Sequence, residues 1–175
     1  LHELKSKNTN VCSISPKENN VLNIIPESEE LGYVGKPKKI NKEKILNFIN
    51  NKQIPIVVPL GLGDDGRIYN INADVAAGSI AKEIDARRLL LMTDVEGVLD
   101  QNQKLISEIN LNKANEMLKN NIISGGMIPK INTCLDAISN GVRGVVIVDG
   151  RKPHSILFEL FSDKGAGTLI RKWII

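Results

Sequence analysis

Residues 87–100 read RRLLLMTDVEGVLD. Leu89 to Met92 are continuously apolar, too short a run for a helix and without the alternation of a half-exposed strand. Such a run fits a strand covered on both faces. It ends at Thr93 and passes into a turn in which two carboxylates frame a glycine. Two further runs have the same character, IPIVVPL over 54–60 and RGVVIVD over 143–149.

The segments between these runs carry the helical period. INKEKILNFINNK (40–52) gathers Ile40, Ile45, Leu46, Phe48 and Ile49 largely on one side, with Asn41 as its N-cap. NADVAAGSIAKEI (72–84) is opened by Asn72 or Asp74 and lined by Val75, Ala76, Ser79, Ile80 and Ile84. NLNKANEMLKNN (110–121) turns Leu111, Ala114, Met117 and Leu118 inward. KINTCLDAISNG (130–141) ends on Gly141, which suits a left-handed C-cap, and KPHSILFELFSD (152–163) has Pro153 near its first turn. Short extended pieces are expected at IYNI (68–71) and LISEI (105–109), and an edge strand at GAGTLIRK (165–172). Buried strands alternating with amphipathic helices define an α/β fold, a mainly parallel central sheet with helices on both faces. Residues 1–30 show no sustained period and read as a loosely ordered lead-in with a short strand at VLNII (21–25), leaving 31–175 as the domain.

Composition narrows the function classes. The chain has 175 residues, 42% of them apolar but only 3% aromatic, so its core is built from Ile, Leu, Val and Ala. A formal charge of +3 with no basic stripe between aromatics gives nucleic-acid binding no support. No apolar run approaches the roughly 20 residues of a membrane span. Cys12 and Cys134 form neither a CxxC nor a cluster with His, which argues against zinc and against a disulfide framework.

Ligands of such sheets bind beyond the carboxyl ends of the strands, so the chemistry is sought there. Gly61, Gly63 and Gly66 match G-x-G-x-x-G, but Asp64 and Asp65 would repel a pyrophosphate and no helix follows directly; an Asp-Gly turn between short strands is the better reading. YNINAD (69–74) packs Asn70, Asn72 and Asp74 into a strand-to-helix junction. Asn70 can donate to an anion, whereas Asn72 or Asp74 alone is equally well explained as a cap. In TDVEGVLD (93–100), Gly97 permits close approach and Asp94 can take a ligand hydroxyl, though a polar turn reads the same way. SGGMIPK (124–130) sets a lysine at a helix entrance beside two glycines. Lys130 there is either a solvated surface charge or a point charge suited to phosphoryl oxygens.

Taken together, YNINADVAAGSIA, LLLMTDVEGVLD, ISGGMIPKINTCLDAISNGV and VVIVDGRKPHSILFELFSDKGAGTLI, with LGYVGKP upstream, closely resemble the N-acetylglutamate kinases of the amino-acid kinase family over roughly residues 31–172. The resemblance implies a three-layer sandwich and transfer of a phosphoryl group from MgATP to the γ-carboxylate of N-acetyl-L-glutamate in arginine biosynthesis. It implies that Asn70 contacts the substrate, that Asp74 orients the catalytic lysines, and that Lys130 stabilises the transferring phosphoryl group. Asp94, Val95, Glu96, Gly97, Val98 and Leu99, with Ile122, Ile123 and Ser124, would hold the nucleotide, and Mg2+ would be bound through it. His154, Glu159 and Gly165 match the effector position of the arginine-inhibited branch. The resemblance further implies homo-oligomers and a PII-type regulator in some members, and an arginine-making compartment is expected to be a bacterial cytoplasm or plastid stroma. The family's first catalytic lysine, glycine-rich phosphate loop, acyl-binding Gly-Gly pair and substrate arginine are not recognisable here. The expectation is therefore the carboxyl-terminal, nucleotide-binding half of a kinase, its amino-terminal half missing and activity alone in doubt. The alternative is a non-catalytic remnant that binds nucleotide or arginine.

Overall fold

The computed structural model describes residues 2–172 and divides into two compact units, residues 1–84 and 85–175. The first contains α1 (His2–Ser6), β1 (Val11–Ile14), β2 (Leu22–Pro26), β3 (Gly35–Ile40), α2 (Lys42–Asn50), β4 (Ile54–Val57), β5 (Leu60–Gly63), β6 (Ile68–Asn70) and α3 (Ala73–Glu83). Here β1 and β4 form a parallel pair, and β3-β2-β5-β6 form a second sheet whose central β2–β5 ladder is parallel. The core of this unit is built on Ile14, Leu22, Ile24, Ile45 and Ile71, all nearly inaccessible to solvent. Asn41 caps α2, its side chain accepting from the Lys44 N–H at 3.1 Å. The Asn72 side chain caps α3, accepting from the N–H groups of Asp74 and Val75, which decides between the two caps the sequence allows.

Three expectations are corrected in this unit. The lead-in is not loosely ordered over residues 11–26: β1 and β2 place Val11, Ile14, Leu22 and Ile24 in the interior. VCSI is too short and too mixed to show a period, and its order comes from pairing with β4. IPIVVPL is not one strand buried on both faces. It breaks into β4 and β5 around Pro59, and Ile54 is 56% exposed. Residues 61–63, expected in a turn, belong with Leu60 to the strand β5, paired antiparallel with β6 through the turn at Asp64–Gly66. Gly61 and Gly63 are there for packing: a Cβ on Gly61 would lie 2.2 Å from the Ile24 side chain. Asp65 ties the hairpin together by accepting from the Arg67 N–H and the Tyr69 hydroxyl, and those bonds lower its pKa.

The second unit contains β7 (Leu89–Thr93), β8 (Glu108–Asn110), α4 (Leu111–Lys119), α5 (Met127–Ser139), β9 (Gly144–Asp149), α6 (Ser155–Phe161) and β10 (Gly167–Arg171). Its sheet has the order β7-β9-β10-β8, with β7–β9 and β8–β10 parallel and β9–β10 antiparallel. All six residues of β9 are buried, and both α5 and α6 pack against it, so this α/β layer is covered as the apolar run required. α5 ends as expected: Gly141 has φ +110°, its N–H donates to the Ile138 carbonyl and the Val142 N–H to that of Ala137, a Schellman closure.

Four expectations change in this unit. β7 is not covered on both faces: it stands at the end of its sheet, Leu91 is its one buried residue and Met92 is 47% exposed. β10 is an interior strand, not an edge. α5 begins at Met127, so Pro129 falls in its first turn, where a missing N–H costs no intrahelical bond. α6 begins after Pro153, and His154 is its N-cap in a left-handed conformation rather than a first-turn residue.

Candidate functional site

β7 and β9 run side by side and end together, Thr93 in register with Asp149. The Gly150 N–H donates to the Thr93 carbonyl at 2.8 Å, so the loops after both strands leave from one point. Beyond β7, residues 95–99 fold over one side of a cavity of about 200 Å³. Val95, Gly97, Val98 and Leu99 line it from this loop. Ile122, Ile123 and Ser124, between α4 and α5, line it from the other side, joined by Met127. Asp100 and Gln103 complete the rim. Seven of the nine residues proposed to hold the nucleotide therefore surround one space, while Asp94 and Glu96 are exposed and stand outside its lining. Glu96 instead pairs with Lys152 at 2.5 Å, linking the loop to the segment after β9. Both side chains are half exposed, so the link carries little energy.

Lys130 is half-buried and sits on α5 three residues after Met127. It does not line the cavity, which α5 reaches through Met127 at the first position of the helix. Gly125 adopts φ +56°, the conformation that lets the chain turn from Ser124 into the helix.

Asn70 and Asp74 belong to the first unit. Asn70 is exposed at the end of β6, its N–H held by the Tyr33 carbonyl, and Asp74 is half-buried in the first turn of α3.

Of the three residues expected at an effector position, the structure joins two. Glu159 is 8% exposed, accepts from Arg88 Nη1 at 3.1 Å through Oε1, and from the Ala166 N–H at 3.0 Å through Oε2. A Cβ on Gly165 would lie 2.9 Å from that same Oε2. Glu159 and Gly165 line a cavity of about 320 Å³ with Arg88, Glu108 and Lys164. His154 is exposed and does not line it.

Sequence reasoning named nothing within DGRK (149–152). Asp149 is 2% exposed and takes Arg151 Nε and Nη2 in a two-point clasp at 3.0 Å each. That clasp, with the Arg151 N–H, brings its pKa down to about 2. A carboxylate closing a wholly apolar strand was the available signal. Among the described residues, no group of three or more His, Cys, Asp or Glu is arranged to hold a metal, and no helix is long and apolar enough to cross a membrane.

An α/β fold with a cavity beyond its strand tips is a common setting for small-molecule ligands, and residues 2–149 match the amino acid kinase family. The chain belongs to that family. It is homologous to the acetylglutamate kinases: it is 56% identical over 172 residues to acetylglutamate kinase of Pelagibacter ubique (strain HTCC1062), covering 98% of this chain and 59% of that protein. The chain thus spans little more than half the length of this relative. Among solved structures it superposes on smu.665 from Streptococcus mutans UA159 with a TM-score of 0.81 at 32% identity, covering 97% of this chain and 64% of that one. It shares its fold with a Giardia lamblia carbamate kinase bound to AMP-PNP, with a TM-score of 0.72 at 18% identity, over 98% of this chain and 66% of that one.

Proposed function

We propose that this chain is the nucleotide-holding, carboxyl-terminal part of an acetylglutamate kinase, an enzyme that phosphorylates the γ-carboxylate of N-acetyl-L-glutamate with ATP in arginine biosynthesis. The observation that carries the proposal is the cavity of about 200 Å³ beyond β7, lined from one side by Val95 and residues 97–99 and from the other by residues 122–124 and Met127. Its Val, Leu, Ile and Met walls suit the faces of a purine, and Ser124, Asp100 and Gln103 suit its polar edge and the ribose hydroxyls. A space of this size takes the nucleoside end and leaves the phosphates toward the start of α5. Lys130 there supplies a compact positive charge, stronger in effect as negative charge develops on the transferring group. Asn70 is assigned to the acceptor's carboxylate and Asp74 to orientation of the catalytic lysines. Mg2+ is assigned to the phosphates rather than to a protein cage, as is usual for that ion. The cavity of about 320 Å³ beside Glu159 and Gly165 is assigned to an arginine effector, whose guanidinium would have to share Glu159 with Arg88.

The test is calorimetric titration of the chain with MgADP, followed by a search for acetylglutamate-dependent ADP release. Saturable binding with weak or no turnover fits a nucleotide-holding part. Absence of binding removes the proposal. In a full-length relative, the Lys130→Ala equivalent should lower turnover far more than nucleotide affinity; equal losses count against the role given to the lysine.

A further inference from the structure

We infer that Thr168 is the positioning residue of the nucleotide loop: its buried hydroxyl ties the cavity wall at Gly97 and Val98 to the central sheet. The inference rests on the nucleotide reading of that cavity. Thr168 is wholly buried in β10 and does not itself line the cavity. Its Oγ1 accepts the Val98 N–H at 2.8 Å and donates to the Ile106 carbonyl at 2.7 Å, so its single proton is committed. The Ile106 N–H in turn donates to the Val98 carbonyl at 2.9 Å. Both backbone groups of Val98 are therefore fixed, one by the threonine and one by a residue that the threonine also holds.

Gly97 completes the arrangement. Its φ is +145°, and a Cβ there would lie 2.6 Å from Thr168 Oγ1 and 2.8 Å from Leu105 Cδ1. The loop lies directly on the hydroxyl with no room for a side chain. The anchor is rigid because β10 is paired on both sides, with β9 and with β8. A hydroxyl that served only the fold could bond anywhere in the interior. This one reaches 70 residues back along the chain to the wall of the cavity.

Valine matches threonine in shape but would leave the buried Val98 N–H without its acceptor and the part-buried Ile106 carbonyl without the threonine's proton. Serine keeps the hydroxyl. Three variants of the described chain, Thr168→Val, Thr168→Ser and Val145→Ala, are compared by hydrogen exchange over residues 94–100 and by MgADP titration. Val145→Ala lowers stability from within β9 without touching the loop. Thr168→Val is expected to raise exchange at Val98 and weaken MgADP binding about tenfold, the effect of one buried hydrogen bond. Thr168→Ser should stay within about threefold of the parent in both, and Val145→Ala should lower the melting temperature while sparing both. Equal exchange at Val98 in Thr168→Val and the parent overturns the inference, as does loss of binding in Val145→Ala as large as in Thr168→Val. If the parent chain does not bind MgADP, the nucleotide reading fails instead, and exchange at Val98 alone decides whether Thr168 holds the loop.

Discussion

Replacing Gly167 by alanine should split the sheet of the second unit. A Cβ at this position would lie 1.9 Å from the Ile147 carbonyl oxygen, 2.9 Å from its carbon and 3.1 Å from Val148 Cα. All three are backbone atoms of β9, so no side chain can move aside. Reaching even 3.0 Å from the oxygen requires about 1.1 Å of separation between β9 and β10, from 3.0 less 1.9. An N–H···O bond of ordinary length stretched by that amount lies near 4 Å and is broken. Losing about two ladder bonds and exposing buried groups beside them costs at least about 3 kcal/mol. The measurement is native-state hydrogen exchange at Val145–Val148, chosen because it reports on β9 itself in a chain of two units. Protection should fall about a hundredfold or more. Gly126→Ala is the control, since its φ is −64° and an added Cβ meets nothing within 4 Å. Protection of β9 in Gly167→Ala within about threefold of the parent would refute the steric reasoning.

Glu159→Ala strips the acceptor from Arg88 and from the Ala166 N–H and should cost about 1–2 kcal/mol in urea unfolding, because Arg88 is partly solvated; Glu159→Gln should cost less, and equal costs would deny the amide bond a share. Asp149 has a folded pKa near 2, below its usual 3.8, so its contribution to stability is fully present above about pH 4 and fades as the pH falls through 2. The stability difference between the parent and Asp149→Asn should shrink over that window, and a difference independent of pH would contradict the charge pairing. Asn72→Ala removes the acceptor of two N–H groups at the start of α3 and should lower stability by about 1 kcal/mol, with Asn72→Asp close to the parent by the same unfolding assay.

The α/β class was legible because LLLMT and GVVIVD are apolar without alternation and the windows between them hold a helical period. The same logic misreads IPIVVPL and overstates the coverage of LLLMT, where Met92 is exposed. An apolar run does not reveal how many of its faces are covered, and Ile54 stands on β4, whose partner among the described strands is the short β1. VCSI was silent because its order comes from a partner more than forty residues away. Of the candidate site's lining, Gly97 and Ser124 carry local marks, a glycine that permits close approach and a turn into a helix; the other lining residues were expected from the family resemblance alone. Thr168 was not, because the adjacency of β10 to the loop after β7 is a fact of sheet order and has no local trace.

The interior place of β10 also constrains how the second unit is made. Residues 167–171 emerge from the ribosome after every other strand of their sheet, yet they lie between two of them. Until they arrive, β9 and β8 each present an open edge with its hydrogen-bonding groups unmet. A nascent chain halted before residue 167 would carry a vacant slot one strand wide, open to capture by a chaperone or by an extended segment of another polypeptide.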